Sequence, residues 1–421
     1  MALNKKQQIA VNSDEPNVLI IAPAGSGKTT TLVAAIKRFK DQKPNAEVVA
    51  ITFTKKSAED LRTKLSGYRG IAVSTIHSWA YAELEILSEE LQKEDFNNTF
   101  KIKLLQDERI KEILKELCDK RKYYYIKVDI LYHYIMGNYN MDISDRLKSM
   151  FKAIEMDYIR YKDRHGLYDF TDLPNYLLDK LNDYDRNITH IDGFFVDEFQ
   201  DVDDVQLEVF DRVIADKKFY IGDPQQAIYI FRGATEDVIN QVQDFKLYEL
   251  DVNYRSNQEI IDFATTYQNR AKFESVLFSS QLESFSSKIK TIKGKGGRVY
   301  ILNRKGHAYK VNEFIKENGE KLIENILKDQ PMILCRKNKE VRKIKEIGYD
   351  NVSTIHQAKG LEYEKVIVTD FEIRDTEDVN IAYVAMTRAE TDLIAANYEA
   401  FIQILERLKA KGKIIDNNSL F

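Results

Sequence analysis

The sequence predicts an α/β fold in which parallel sheets alternate with helices and a long helical stretch interrupts the first sheet. Three observations carry this. Short apolar runs at residues 17–21, 48–53 and 71–74 alternate with helical spacing at 28–40 and 57–65. Repeated strand–helix units of this kind imply a parallel sheet with helices on its faces. From about Tyr81 to Asn187 the texture changes: charged and apolar residues recur at helical spacing and strand-like runs nearly vanish. Strand texture then returns at 193–196, 218–221, 332–334 and 366–368.

Composition bounds the reading. The chain has 421 residues, enough for roughly three domains at about 150 each. It carries 63 basic and 67 acidic residues, a formal net charge of -4, which argues against coating nucleic acid by bulk charge. A local groove for one strand stays open. Apolar runs fall short of the roughly 20 residues of a spanning helix. The start, Met1-Ala2-Leu3-Asn4-Lys5-Lys6, lacks a signal-peptide core. Cys118 and Cys335 match no metal spacing and are expected to be small core residues in a reduced cytoplasm.

The first chemistry-bearing segment is Ala22-Pro23-Ala24-Gly25-Ser26-Gly27-Lys28-Thr29. It follows a predicted strand and opens a predicted helix, the context a phosphate loop requires. Glycines let backbone N–H groups curl around an anion, and the helix N-terminus adds partial positive charge. Lys28 is expected on the β and γ phosphates, and Thr29 on Mg²⁺. The first glycine of the usual motif is Ala22 here. Residues 194–198, Phe-Phe-Val-Asp-Glu, form an apolar strand ending in two carboxylates. Asp197 suits Mg²⁺, and Glu198 is placed to polarise an attacking water. Two carboxylates favour hydrolysis over transfer to a second substrate.

With Val196-Asp197-Glu198-Phe199-Gln200-Asp201 in view, the chain resembles the superfamily 1 DNA helicases of the UvrD/Rep/PcrA type. The likeness is ordered along nearly the whole chain. It includes Asn4, Gln7 and Ala10 ahead of the phosphate loop, then the segments 51–58 and 74–78. It continues through Gly222-Asp223-Pro224-Gln225-Gln226 to Ala234, Asn253-Tyr254-Arg255-Ser256, 354–362 and 383–389. The resemblance implies two RecA-like parallel-sheet motor lobes with ATP between them. The first lobe is expected at 1–80 and 190–246, a helical insertion at 81–189, and the second lobe at 247–421.

The same resemblance implies roles. Gln7 would read the adenine edge, Tyr254 would stack on the base, and Glu362 would bond the ribose. Ala24, Gly25, Ser26, Gly27, Lys28, Thr29 and Thr30 would line the phosphate side; Thr30 stands where some relatives carry an arginine. Gln226 would report the γ phosphate, and Arg255 and Arg388 would stabilise its charge. Phe53, Thr54, Thr75, His77, Tyr229, Phe231, Arg232, Thr354 and His356 would contact the strand, with aromatic faces stacking on bases whatever their sequence. Phe53 could equally be core, and His356 a structural histidine. Residues 120–127, Lys-Arg-Lys-Tyr-Tyr-Tyr-Ile-Lys, could hold phosphates, but a solvated helix face with its aromatics in the core is the preferred reading.

One departure from the family stands out. Typical members carry a large second insertion between the strand at 332–334 and the His-containing motif. Here a short helix and Gly348-Tyr349-Asp350-Asn351 are all that intervene. The expected function is an ATP- and Mg²⁺-dependent single-stranded DNA translocase or helicase of 3′–5′ polarity. It would act on single-stranded or partly duplex DNA. The alternative is an ATP-binding regulatory subunit that licenses a partner nuclease in anti-phage defence or DNA repair.

Overall fold

The computed structural model describes residues 2–94, 100–137, 143–228, 238–275, 289–302, 323–369, 376–396 and 398–410. The chain divides into two compact units. One comprises Met1–Ile21, Lys28–Gly222 and Tyr229–Glu249; the other comprises Ala22–Gly27, Asp223–Ile228 and Leu250–Phe421.

The first unit holds a six-stranded sheet. Its strands are β1 (Asn17–Ile21), β2 (Val48–Thr52), β3 (Ile71–Thr75), β4 (Gly193–Val196), β5 (Lys217–Gly222) and β6 (Lys246–Glu249). They run in the order β3-β2-β4-β5-β1-β6, and every pairing is parallel. Burial follows position. The inner strands β2 and β4 are buried at every residue, while the edges β3 and β6 are largely open. Near-continuous apolar runs are what a parallel strand covered on both faces demands.

Trp79 from the helix Ile76–Glu94 packs at 5.2 Å from Phe194, and Phe210 closes the stack at 5.0 Å from Phe194. Aromatic pairs in such offset or edge geometries are worth about 0.5–1.5 kcal/mol beyond their buried area. This fixes the far end of β4, the strand that delivers Asp197 and Glu198.

The helical stretch has a core of its own. Helices Asp107–Lys120, Val128–Ile135 and Asp145–His165 bury Ile113, Leu114, Leu131, Phe151, Ile154 and Tyr158 against one another. By contrast, helices Ile76–Glu94 and Leu173–Asp183 pack into the core of the sheet. The join is pinned by buried Lys162, whose Nζ lies 2.7 Å from Asp169 Oδ2 and 2.7 Å from Asp172 Oδ1. Burial pushes the Asp169 carboxyl up, but the ammonium and the Thr171 hydrogen bonds outweigh it and hold it below its ordinary value. Asp172 is pushed up, by burial first and then by Asp169.

The run 120–127 corrects the sequence reading. It is the loop between two helices, with Lys122 at φ 61°, and not a helix face. Tyr124 is 71% and Tyr125 64% exposed, so neither ring belongs to the core, whereas Ile126 is buried.

The second unit contains β7 (Val252–Asn253) paired with β8 (Lys290–Thr291), and a larger sheet. That sheet consists of β9 (Arg298–Leu302), β10 (Met332–Cys335), β11 (Val352–Thr354), β12 (Tyr363–Val368) and β13 (Ala389–Ala396). It is parallel, in the order β11-β10-β12-β13-β9. Ile333, Ile367, Ile394 and Phe401 build its core. From β10 the chain enters the helix Asn338–Ile347, turns at Gly348 (φ 108°) and pairs at once as β11. The helix is one crossover long, so a subdomain has no room there.

Cys118 and Cys335 are both buried free thiols, as their spacing suggests. Burial pushes the Cys118 thiol up to about 11. Among the described residues no helix is long and apolar enough to cross a membrane.

Candidate functional site

The residues of interest fall into two groups, one in each unit. In the first unit, the helix Lys28–Gln42 begins at the end of the phosphate loop, and β4 ends at Asp197. The parallel register brings them together: Thr29 Oγ1 donates to Asp197 Oδ2 at 3.3 Å. Asp197 is 7% exposed, and its carboxyl is raised to about 7. Burial is the main cause and the neighbouring Glu198 the second, with Lys28 opposing. A hydroxyl and a carboxylate, both oxygen donors, with an anion whose desolvation is only partly offset, suit a hard divalent cation such as Mg²⁺.

Glu198 follows directly with φ 53°, a left-handed backbone that costs an L residue about 1–2 kcal/mol. Its backbone N–H donates to Asp197 Oδ1 at 3.0 Å, and its Oε2 accepts from Gln200 Nε2 at 2.7 Å. Left-handed strain at a catalytic candidate is a recurrent pattern.

Gln7 lies in the same unit, buried at the start of the helix Lys5–Val11. Asn4 N–H donates to Gln7 Oε1 at 2.8 Å, and Gln7 N–H to Asn4 Oδ1 at 2.9 Å, a reciprocal capping box. The amide that the sequence reading assigns to an adenine edge therefore also closes a helix end.

In the second unit, the loop Ala22–Gly27 lies against the segment that follows β7. Buried Asn253 donates from Nδ2 to Ala24 O at 2.6 Å, and Tyr254 N–H donates to Gly25 O at 2.8 Å. Gly25 has φ +69°, and a Cβ there would sit 2.6 Å from Asn253 Nδ2 and 2.8 Å from Arg255 Cβ. Asn253 Oδ1 accepts from the N–H groups of Arg255 and Ser256, each at 2.8 Å. One amide thus ties the loop to the arginine-bearing turn. Gly27 is also left-handed, at φ 80°, Ser26 and Ala24 are buried, and Thr30 is exposed in the following helix.

Both arginines are already engaged. Arg388 is 2% exposed: its Nη2 donates to Gln226 Oε1 at 3.1 Å and its Nε to Val384 O at 3.0 Å. Gln226 Nε2 in turn donates to Asp223 Oδ2 at 2.6 Å. Arg255 Nε donates to Glu362 Oε2 at 2.9 Å, so the carboxylate expected on a ribose is paired with an arginine here.

The expected strand contacts divide. Thr54 caps the helix Lys55–Lys64, accepting from Ser57 N–H at 3.1 Å, and Thr75 Oγ1 donates to Ser78 Oγ at 3.1 Å. Phe53, Thr75 and His77 are partly exposed at the ends of β2 and β3. His77 stacks on Phe170 at 5.6 Å and 21° between planes, and Phe170 is 38% exposed. In the second unit His356 is partly exposed, whereas Thr354 is buried with its hydroxyl accepting from Gln357 N–H at 3.3 Å. Tyr229, Phe231 and Arg232 lie outside the described residues.

Sequence reasoning missed Asn253, Gln200, Asp223 and Phe170. The first three lie inside segments quoted for the family likeness. A buried amide beside a glycine loop was the available signal for Asn253, and the Asp-Phe-Thr-Asp run for Phe170.

Comparison with known proteins agrees with this geometry. The family model for the UvrD/REP helicase N-terminal domain matches residues 3–246, more than half of the chain, and that for the UvrD-like helicase C-terminal domain matches 351–395. The ATP-dependent DNA helicase Rep of Buchnera aphidicola subsp. Acyrthosiphon pisum is 29% identical over 77% of this chain and 53% of its own length. A probable DNA helicase II homolog of Mycoplasma capricolum is 31% identical over 64% of this chain and 41% of its own length. The chain thus spans about half the length, or less, of these two relatives. The Gabija protein GajB of Bacillus cereus is 23% identical over 95% of this chain and 98% of its own length. The chain belongs to the UvrD/REP helicase family.

Proposed function

We propose that this chain is an ATP-dependent motor on single-stranded DNA, a translocase or DNA helicase of 3′–5′ polarity. The observation that carries it is the Thr29–Asp197 hydroxyl–carboxylate pair at the end of β4, with Glu198 beside it. Backbone N–H groups of the loop and Lys28 hold the phosphates. Thr29 and Asp197 would hold Mg²⁺, which would supply charge neutralisation at the phosphates. Glu198 accepts the proton of the attacking water as the bond to the γ phosphate breaks. Gln226 contacts the γ phosphate, and Arg255 and Arg388 take up the charge that spreads over its oxygens.

A γ phosphate would compete with Glu362 for Arg255 and with Gln226 for Arg388. Exchange of partners is a physical way to link phosphate occupancy to movement of the second unit's loops. Phe53, His77 and Phe170 form the stacking surface for bases in the first unit; for Tyr229, Phe231 and Arg232 the strand-contact role rests on the family likeness alone. The domain division that goes with this reading is a first motor lobe at 1–80 and 190–246, a helical insertion at 81–189, and a second lobe at 247–421. A cytoplasmic location goes with it.

The test is translocation on biotinylated single strands. A 3′–5′ motor strips streptavidin from the 5′ end with ATP and leaves the 3′ block in place; release from neither end would refute it.

A second reading is favoured by the direct β10–β11 connection and the end-to-end match to GajB. Under it the chain is an ATP-binding subunit that licenses a partner nuclease in anti-phage defence or DNA repair. ATP hydrolysis stimulated by single strands, with strand displacement only when a nuclease partner is added, would favour it over a self-sufficient helicase.

A further inference from the structure

We propose that Gln200 is the positioning residue for Glu198, and that Gly222 is glycine to make room for it. The inference rests on the reading of Glu198 as the base for water attack.

Glu198 sits on a turn that lacks regular secondary structure to hold it, between the end of β4 and the short 3₁₀ turn Phe199–Asp201. A carboxylate on such a turn has free side-chain torsions unless something fixes them. Gln200 does so. Its Nε2 donates to Glu198 Oε2 at 2.7 Å, and the donor is itself 1% exposed. One held oxygen restricts the plane of the carboxylate, as the reading of Glu198 as the base requires. Effective general-base catalysis demands such alignment, because the base must lie within hydrogen-bond reach of the proton it takes.

Gln200 is held from behind by the last residue of β5. A Cβ on Gly222 would lie 2.7 Å from Gln200 Oε1, 3.0 Å from Gln200 N and 3.3 Å from Phe199 N. Two of these neighbours are backbone, so the turn cannot yield cheaply. β5 is paired directly with β4, so its end lies beside the catalytic turn.

The experiment compares Gln200→Met, Gly222→Ala and Glu198→Gln in the full chain, measuring DNA-stimulated ATP turnover, KM for ATP and thermal melting. Methionine keeps the volume of glutamine without its donor. Gln200→Met is expected to lower kcat roughly 10–100-fold, by analogy with the loss of outer partners that orient metal-ligating groups. KM for ATP should stay within about twofold, since uniform binding is untouched. Gly222→Ala should reproduce the defect, and Gln200→Met added to Glu198→Gln should cost nothing further.

Wild-type kcat in Gln200→Met, with Glu198→Gln inactive, overturns the positioning role and leaves Glu198 as the base. Wild-type kcat in Glu198→Gln overturns both. A matching fall in melting temperature and rise in KM would make Gln200 structural only, and would equally overturn the proposal.

Discussion

The two groups of candidate residues handle charge in opposite ways. In the first unit Asp197 is buried, and burial, helped by Glu198 and opposed by Lys28, lifts its carboxyl to about 7. In the second, both arginines are satisfied: Arg388 by Gln226 and main-chain carbonyls, Arg255 by Glu362. A desolvated anion gains from an incoming cation, so that group is built to receive one. Arginines with partners in place meet a phosphate in competition with those partners. The first arrangement favours binding, and the second makes binding conditional on rearrangement.

The largest effects should come from the first group. Lys28→Ala and Glu198→Gln are each expected to remove turnover by about 10²–10⁴-fold or more, read as steady-state phosphate release. Glu198→Gln should still retain nucleotide in equilibrium binding. If Glu198→Gln failed to bind ATP, the division between a binding group and a hydrolytic base would be lost.

The arginines separate next. Both Arg388→Ala and Arg255→Ala should cut turnover, by roughly 10³-fold if they act as transition-state cations. Only Arg388→Ala should also destabilise the fold, by roughly 2–3 kcal/mol, because it strips charged hydrogen bonds from buried acceptors. Arg255 pairs with an exposed Glu362, and surface pairs contribute little. Equal melting temperatures for the two variants would contradict the burial contrast.

Gly25→Ala comes third. It meets a positive φ and the Asn253 amide at once, so it should impair nucleotide affinity while leaving strands β2 and β4 intact by circular dichroism.

The smallest effect is a pH control away from the site. Lys217 is a buried cation whose Nζ donates to Ser13 O at 2.9 Å and also to Glu15 O. Burial first, and Arg38 second, lower it to about 8. Its ordinary value is about 10.4, so between those values the unfolded chain binds more protons and stability rises with pH. This contribution is fully present above about 10.4 and lost as pH falls through about 8. Lys217→Met should flatten the slope of melting temperature over that window. An unchanged slope would contradict the lowered value.

Much of this was readable in the sequence, and the limits are physical. β1, β2 and β4 are covered on both faces, so their apolar runs are continuous and their positions plain. β6 and β13 were not read as strands. β6, Lys-Leu-Tyr-Glu, is an open edge with little apolar content, and Ala389–Ala396 follows a helix with residues that suit either state. The phosphate loop and Asp197–Glu198 are local motifs and were legible. Gln200, Asn253 and Phe170 act through partners made neighbours by the fold, to which no spacing points. Tyr124 and Tyr125 show the converse: aromatic runs look like core until a helix boundary at Lys120 leaves them on a loop.

The most direct measurement is ATP hydrolysis by the purified chain with and without single-stranded DNA, using Lys28→Ala as the blank. The expected result is strong stimulation by single strands in the wild type and none in the variant. Hydrolysis indifferent to any DNA or RNA, or undiminished in Lys28→Ala, would contradict a nucleic-acid motor driven from this site.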